Sequence, residues 1–257
     1  MTPCPSMTGL RQLPAALMLL GTLWLSGCAT QANLPVDDGS GAAAAYTRLG
    51  VAYLERDNLP RALNALDRAL EIDPDDAEAL QAMAMVHQRQ GEGALAGEMF
   101  RRAIEADPTL TRTRNNYAAF LYDRGRIAEA CEQLERASED TQYANRGQLF
   151  ANLGQCRLEM GEVTAARQSL ARAQAIDPRG ARSYLLLAEL EAAEGNLERA
   201  ERQLERYMRL AGPQAEALRL ARDLARQRGD TASADFYTDQ LEGTRAGPWL
   251  EGTRAGP

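Results

Sequence analysis

Few side chains in this 257-residue chain are equipped for chemistry: one His, His87, and four Cys at positions 4, 28, 131 and 156. All 29 basic residues are Arg. Without Lys there is no P-loop Lys, no Schiff base and no Lys general base. A single His excludes a multi-His zinc or iron centre, and a Ser-His-Asp triad would have to rest on His87. The 36 carboxylates fall into helical charge patterns such as Glu198, Arg199, Glu201, Arg202 and Glu205, a solvated face with local pairing. No carboxylate pair stands out as an acid and its base. The residues therefore call for no cofactor, no metal and no small-molecule substrate, which leaves binding rather than catalysis. A net charge of −7 with no basic cluster argues against nucleic acid, whose phosphates have to be neutralised.

Cys28 is the thiol with the most specific context. Arg11 precedes an apolar run from Leu13 to Leu25, shorter than the roughly 20 residues of a membrane-spanning helix and suited to a secretory signal. The run ends in Leu25-Ser26-Gly27-Cys28, which resembles a bacterial lipobox. That resemblance implies removal of residues 1–27 and acylation of Cys28. Several acyl chains, at about 0.8 kcal/mol per buried methylene, would anchor the chain stably. By resemblance to known lipoprotein sorting rules, Ala29, where an Asp would signal retention, implies export to the periplasmic face of the outer membrane. Residues 28–42, with Pro35, Gly39 and Gly41, read as a flexible lipidated tether.

The elements that must position everything else come from a repeat. Pro74 and Pro108 lie 34 residues apart, and Pro178 lies two such periods plus two residues further on. Thirty-four is the period of tetratricopeptide repeats, each a helix-turn-helix. Starting at Ala43, six repeats run to Leu241. Two columns carry the pattern. Ala62, Ala96, Ala130, Ala166, Ala200 and Ala234 open each second helix, where only a methyl lets the paired helices approach closely. The preceding turn holds Asp57 and then Gly91, Gly125, Gly161, Gly195 and Gly229, residues that leave a helix in the left-handed region. The expected fold is all-α, a right-handed superhelix over residues 43–241. His87 occupies the slot of Tyr53 and reads as packing or rim. Residues 242–257 repeat Glu-Gly-Thr-Arg-Ala-Gly-Pro at Glu242–Pro248 and Glu251–Pro257, and are expected to be disordered.

In this register Cys131 lies early in the second helix of repeat three and Cys156 midway along the first helix of repeat four. Those helices are neighbours, and an exported protein meets an oxidising compartment. A bridge is geometrically open to them, as is burial of two free thiols.

Repeats three and four hold more than the generic pattern. Asn115-Asn116-Tyr117-Ala118-Ala119-Phe120-Leu121-Tyr122 with Gly125-Arg126 and Glu129-Ala130, and Ala137-Ser138-Glu139-Asp140-Thr141-Gln142-Tyr143 with Phe150, Asn152, Leu153 and Gly154, resemble the type IV pilus biogenesis/stability lipoproteins, the PilF and PilW family. The resemblance covers residues 43–241 and the lipobox. Tyr122 stands where many members carry Cys, whereas Cys156 matches a family Cys. The resemblance implies a pilotin: a lipoprotein that binds the pilus secretin subunit, a PilQ-like protein, and promotes its outer-membrane localisation and multimerisation. The first helices of the repeats would line a concave groove able to hold a peptide or helix through apolar anchors. The groove candidates are Val51, Leu54, Met85, Asn115 and Tyr122, with internal packing as the competing role. Two other readings remain open at this stage. One is another outer-membrane assembly lipoprotein, for β-barrels or for a cell-wall synthase. The other is a carboxylate-gripping chaperone adaptor, disfavoured because Thr47 and Val51 occupy two of its required Lys and Asn positions.

Overall fold

A computed structural model describes residues 40–245, which form twelve α-helices and the turns between them. They pair as α1(Ser40–Glu55) with α2(Leu59–Ile72), α3(Ala77–Arg89) with α4(Gly93–Ala106), and α5(Thr111–Asp123) with α6(Ile127–Ser138). The second half pairs α7(Arg146–Glu159) with α8(Val163–Ile176), α9(Ala181–Ala193) with α10(Leu197–Ala211), and α11(Ala215–Gln227) with α12(Thr231–Arg245). Each helix packs mainly on its partner and on the next pair, so the array is a tetratricopeptide solenoid whose core is a chain of neighbouring clusters.

Local chemistry explains the boundaries. Asp73, Asp107 and Asp177 each precede a Pro and leave their helices in extended backbone (φ −131°, −136° and −127°), because the proline ring excludes the α region for the residue before it. Within each repeat the turn is made in the left-handed region, by five glycines at φ 72° to 79° and by Asp57 at φ 56°. The chain then re-enters the second helix at the Ala column. Ala62, Ala96, Ala130, Ala166 and Ala200 are fully buried and Ala234 nearly so. The largest cluster centres on Phe100, Tyr117 and Phe120, whose ring centroids lie 5.4 to 6.1 Å apart.

The fold exceeds the expected limits at both ends. The first helix starts at Ser40, within the stretch read as tether, and the last helix runs to Arg245. The first four residues of the duplicated Glu-Gly-Thr-Arg segment are thus helical rather than disordered. Gly243 weakens a helix by only about 1 kcal/mol and does not stop it. Cys28, residues 1–27 with their expected signal segment, and residues 246–257 lie outside the described residues. Among the described residues, no helix is long and apolar enough to cross a membrane.

Asp57 is the one member of the turn column with a Cβ in the left-handed region. Its carboxylate meets Arg89 at 3.1 Å on an exposed surface, an ion pair of little value. Asp57→Gly removes the steric cost and gives part of it back as unfolded-chain entropy. The expected result is a net gain of about 0.5 kcal/mol, read as a small upward shift in the urea midpoint. A loss would assign the Arg89 contact a larger role than its exposure allows.

Candidate binding clefts on the solenoid

The first helices of the repeats present two concavities that between them hold four of the five groove candidates, all but Asn115. Near the N-terminus, α1, α3 and α5 enclose a cleft of about 180 Å³ with Val51, Leu54, Ala82 and Met85 as its apolar lining. Val51 and Met85 are partly exposed. Leu54 is only 3% exposed and packs in the cluster with Ala62, Leu66 and Val86. Leu54 therefore forms the floor and belongs to the core, which corrects its reading as a free anchor. α3 lies against α1, and Arg89 crosses to donate to the Leu54 carbonyl at 2.6 Å.

Polar groups rim this cleft. Arg112 pairs with Glu78 at 3.0 Å, Glu55 and Arg89 stand beside them, and Asn116 lies with its Nδ2 3.7 Å from the Met85 sulfur. An apolar centre inside a polar rim is the common anatomy of a protein interface. Below it, Thr113 Oγ1 donates to Gln81 Oε1 at 2.8 Å in a fully buried contact that ties α5 to α3. Thr47 is also buried and donates to Asp76 Oδ2 at 2.6 Å, so it belongs to the joint between α1 and α3 rather than to the groove.

Tyr122 and Asn115 belong elsewhere. Tyr122 lines a second cleft of about 250 Å³ with Gln148, Asn152, Gln155 and Arg182. Its hydroxyl donates to Glu159 Oε1 at 3.1 Å and accepts from Gln155 Nε2 at 2.8 Å. Burial, followed by the Glu159 carboxylate, pushes the phenol above its ordinary range, so it stays a neutral donor. Asn115 Oδ1 accepts from Asn152 Nδ2 at 3.2 Å, an amide pair between α5 and α7. The five candidates thus form no continuous apolar stripe. The N-terminal cleft is apolar, and the central one is lined by amides and an Arg.

Several contributors were overlooked in the sequence. Asn116, not Asn115, reaches the N-terminal cleft, because the rotation between repeats brings it beside Met85. That angle is not encoded in the period. Glu78 and Arg112, however, are 34 residues apart with opposite charge, a signal that the repeat alignment did contain.

Cys131 and Cys156 are joined by a disulfide between α6 and α7, with their Cα atoms 5.6 Å apart. The connection it spans, residues 139–145, is the longest between repeats. Asp140 braces the same connection: it accepts from Thr111 Oγ1 at 2.7 Å and from the Gln142 amide at 2.8 Å. The Thr111 hydroxyl, then the Gln142 amide, hold its carboxyl below the usual carboxylate range. The Ser-x-Asp-Thr-x-Tyr stretch thus earns its place structurally. His87 Nδ1 sits 2.6 Å from a Glu92 carboxylate oxygen at the end of α3, a rim contact. Among the described residues no group of His, Cys, Asp and Glu is arranged to hold a metal ion.

Paired helices and a small-residue column at the start of each second helix define a tetratricopeptide solenoid, and sequence profiles of that repeat match residues 43–76, 77–110, 121–181 and 151–216. The chain is 35% identical over 232 residues to the type IV pilus assembly protein PilF of Pseudomonas aeruginosa, covering 89% of this chain and 92% of that protein. It belongs to that family and is a type IV pilus biogenesis protein built of tetratricopeptide repeats. The solved structure of Pseudomonas aeruginosa PilF matches with a TM-score of 0.75 at 34% identity, covering 82% of this chain and 96% of that one. PilW, described as a widely conserved type IV pilus biogenesis factor, matches with a TM-score of 0.73 at 26% identity, covering 80% and 94%. YrrB, a repeat protein with an unusual peptide-binding site, is 23% identical with a TM-score of 0.58 over 69% and 90% of the two chains, and shares the fold alone.

Proposed function

We propose that this protein is a lipoprotein of the outer membrane, held on its periplasmic face through Cys28, that binds the pilus secretin subunit and promotes its localisation and multimerisation. The observation that carries the reading is the 35% identity to a pilus assembly protein along 89% of the chain. The shape of the N-terminal cleft supports it: Val51 and Met85 offer partly exposed apolar surface over the buried Leu54, at the end of the solenoid closest in sequence to Cys28. A helix or strand of the partner would seat an apolar side chain there, while Glu78, Arg89 and Arg112 bond its polar neighbours. The work done is binding, with no bond made or broken. Holding a secretin protomer at the membrane raises its local concentration and favours ring closure.

Deleting the protein should abolish secretin multimers in outer-membrane fractions, and detergent extracts of the parent strain should yield the secretin subunit on pulldown. Full secretin assembly in the deletion strain would overturn the reading. Anchoring has its own test. Cys28→Ala removes the acyl acceptor and should move the protein from the membrane to the soluble periplasmic fraction. A Cys28→Ala chain that still pellets with membrane would mean that lipid is not the anchor.

A further inference from the structure

The second position of each repeat is a charged column that closes on itself in one half of the solenoid and stays open in the other. It reads Ala44, Glu78, Arg112, Gln148, Arg182 and Glu216. Glu78 and Arg112 meet at 3.0 Å. Arg182 and Glu216 have the same separation in sequence and opposite charge, yet Arg182 turns back one repeat and donates to Gln155 Oε1. Between Arg182 and Glu216 opens a cleft of about 410 Å³, with Leu185, Leu186, Tyr207 and Ala211 as its floor. Among the described residues neither Arg182 nor Glu216 has an ion-pair partner. Glu189, partly buried two turns further along α9, has none either. Burial, then the Glu216 carboxylate, push its carboxyl above the usual carboxylate range. Burial and the same two carboxylates also raise the Tyr207 phenol, so the three groups lie together.

This cleft continues the amide-lined one, because Gln155 and Arg182 line both. The result is one groove across α5, α7, α9 and α11, and its chemistry identifies the occupant. Among the described residues the Gln148 side chain has no hydrogen bond, and Asn152 uses only its Nδ2, on Asn115. The free amide groups supply donors and acceptors, the complement of a peptide unit. A helix satisfies its backbone groups internally, whereas an extended chain has them to offer. Charge fixes the side chains. Arg182 retains N–H donors for a carboxylate, while Glu189 and Glu216 together call for a cation. In an extended segment, residues i and i+2 project to one face about 7 Å apart, so one segment can present both charges to neighbouring repeats.

We propose that this groove binds an extended segment of a partner protein with an acidic and a basic side chain on one face: the acidic one on Arg182, the basic one between Glu189 and Glu216, and the backbone on Gln148 and Asn152. The apolar floor at Leu186 and Tyr207 excludes water from both ion pairs and so strengthens them. A lone carboxylate, as at a chain terminus, would satisfy Arg182 but leave Glu189 and Glu216 in mutual repulsion, so an internal segment with both charges fits better. The site shares no residue with the N-terminal cleft and is independent of the secretin reading.

Fluorescence anisotropy on the full chain, purified in detergent, tests it with labelled, end-capped peptides. The probes are Gly-Ser-Asp-Ala-Lys-Ser-Gly, its reverse Gly-Ser-Lys-Ala-Asp-Ser-Gly, and versions with Asn for Asp, Gln for Lys, or both. The better of the two charged probes should bind about tenfold tighter than the neutral one. Arg182→Gln should erase the preference for Asp over Asn while keeping that for Lys over Gln. Glu189→Gln with Glu216→Gln should do the reverse. Circular dichroism should be unchanged in both, since the replacements are close in size and none sits in the core. The Val51→Glu, Met85→Glu variant of the N-terminal cleft should bind the probes as the parent does. Four results overturn the proposal. They are equal or absent binding of charged and neutral probes, an Arg182→Gln effect that weakens every probe alike, a preference lost in the N-terminal variant, or a neutral probe with a free C-terminal carboxylate that binds as tightly as the charged one.

Discussion

Replacing Cys131 and Cys156 together with Ala should lower the stability of the oxidised protein by about 3 kcal/mol, the entropy of closing a loop of this length in the unfolded chain. The sequence separation is 25 residues and both sulfurs are buried, Cys156 completely. Ala is preferred to Ser, because a hydroxyl left unpaired in that cluster would add about 1–3 kcal/mol of its own. The effect should be local. In a solenoid each repeat is held by its neighbours, and this bridge fastens the joint with the longest connection. Hydrogen exchange should therefore speed up most in α6, α7 and residues 139–145, with α1 to α4 little changed. Repeat arrays can melt in stages, so exchange read helix by helix is a better measure than one melting temperature. Parent protein denatured without reductant should show no thiol at Cys131 or Cys156. Two reactive thiols there, or identical exchange in parent and variant, would remove the disulfide from the account of stability.

What could be read from the sequence, and what could not, divides along a physical line. The Ala column and the Gly column report contacts inside one repeat, where chain geometry fixes the neighbour, and each residue sits where the period put it. Helix ends at Asp73, Asp107 and Asp177 are similarly local, since proline acts on the residue before it. Burial in the groove is not local. Leu54 and Tyr122 hold the same place in repeats one and three, yet one is core and the other is partly exposed. The difference lies in the neighbour: α3 closes over Leu54, while Tyr122 meets the polar Gln155 and Glu159 of α7. The disulfide illustrates the same limit. Spacing placed both cysteines on adjacent helices, but whether their side chains met depended on how far the lengthened connection turned α7 against α6. The C-terminal limit was missed for another reason. The Gly/Pro-bearing duplication from Glu242 has no apolar face and so reads as disordered, but packing on α11 carries the helix through Gly243 to Arg245.

A Val51→Glu, Met85→Glu double variant should abolish secretin multimers while leaving the fold intact. The choice follows from burial. Both side chains are partly exposed in the N-terminal cleft, so a carboxylate at either place remains in water in the free protein. Leu54→Glu would instead place a charge in a core position and unfold the first repeat, which would make any loss of function uninformative. On binding, the cleft has to dry, and each new carboxylate would either be buried unpaired or draw Arg112 or Arg89 away from the bonds they are to make with the partner. Each substitution should cost about 2 kcal/mol, as is usual for an anchor at the centre of an interface. Together that is roughly a thousandfold in affinity. The Tyr122 cleft provides the control. Tyr122→Phe deletes the bonds to Glu159 and Gln155 without adding charge, and should leave multimers unchanged if the N-terminal cleft is the binding site. Circular dichroism and membrane fractionation of the double variant should match the parent. Normal multimers in the double variant would exclude the N-terminal cleft, and their loss in Tyr122→Phe alone would move the site to the amide-lined cleft between α5, α7 and α9.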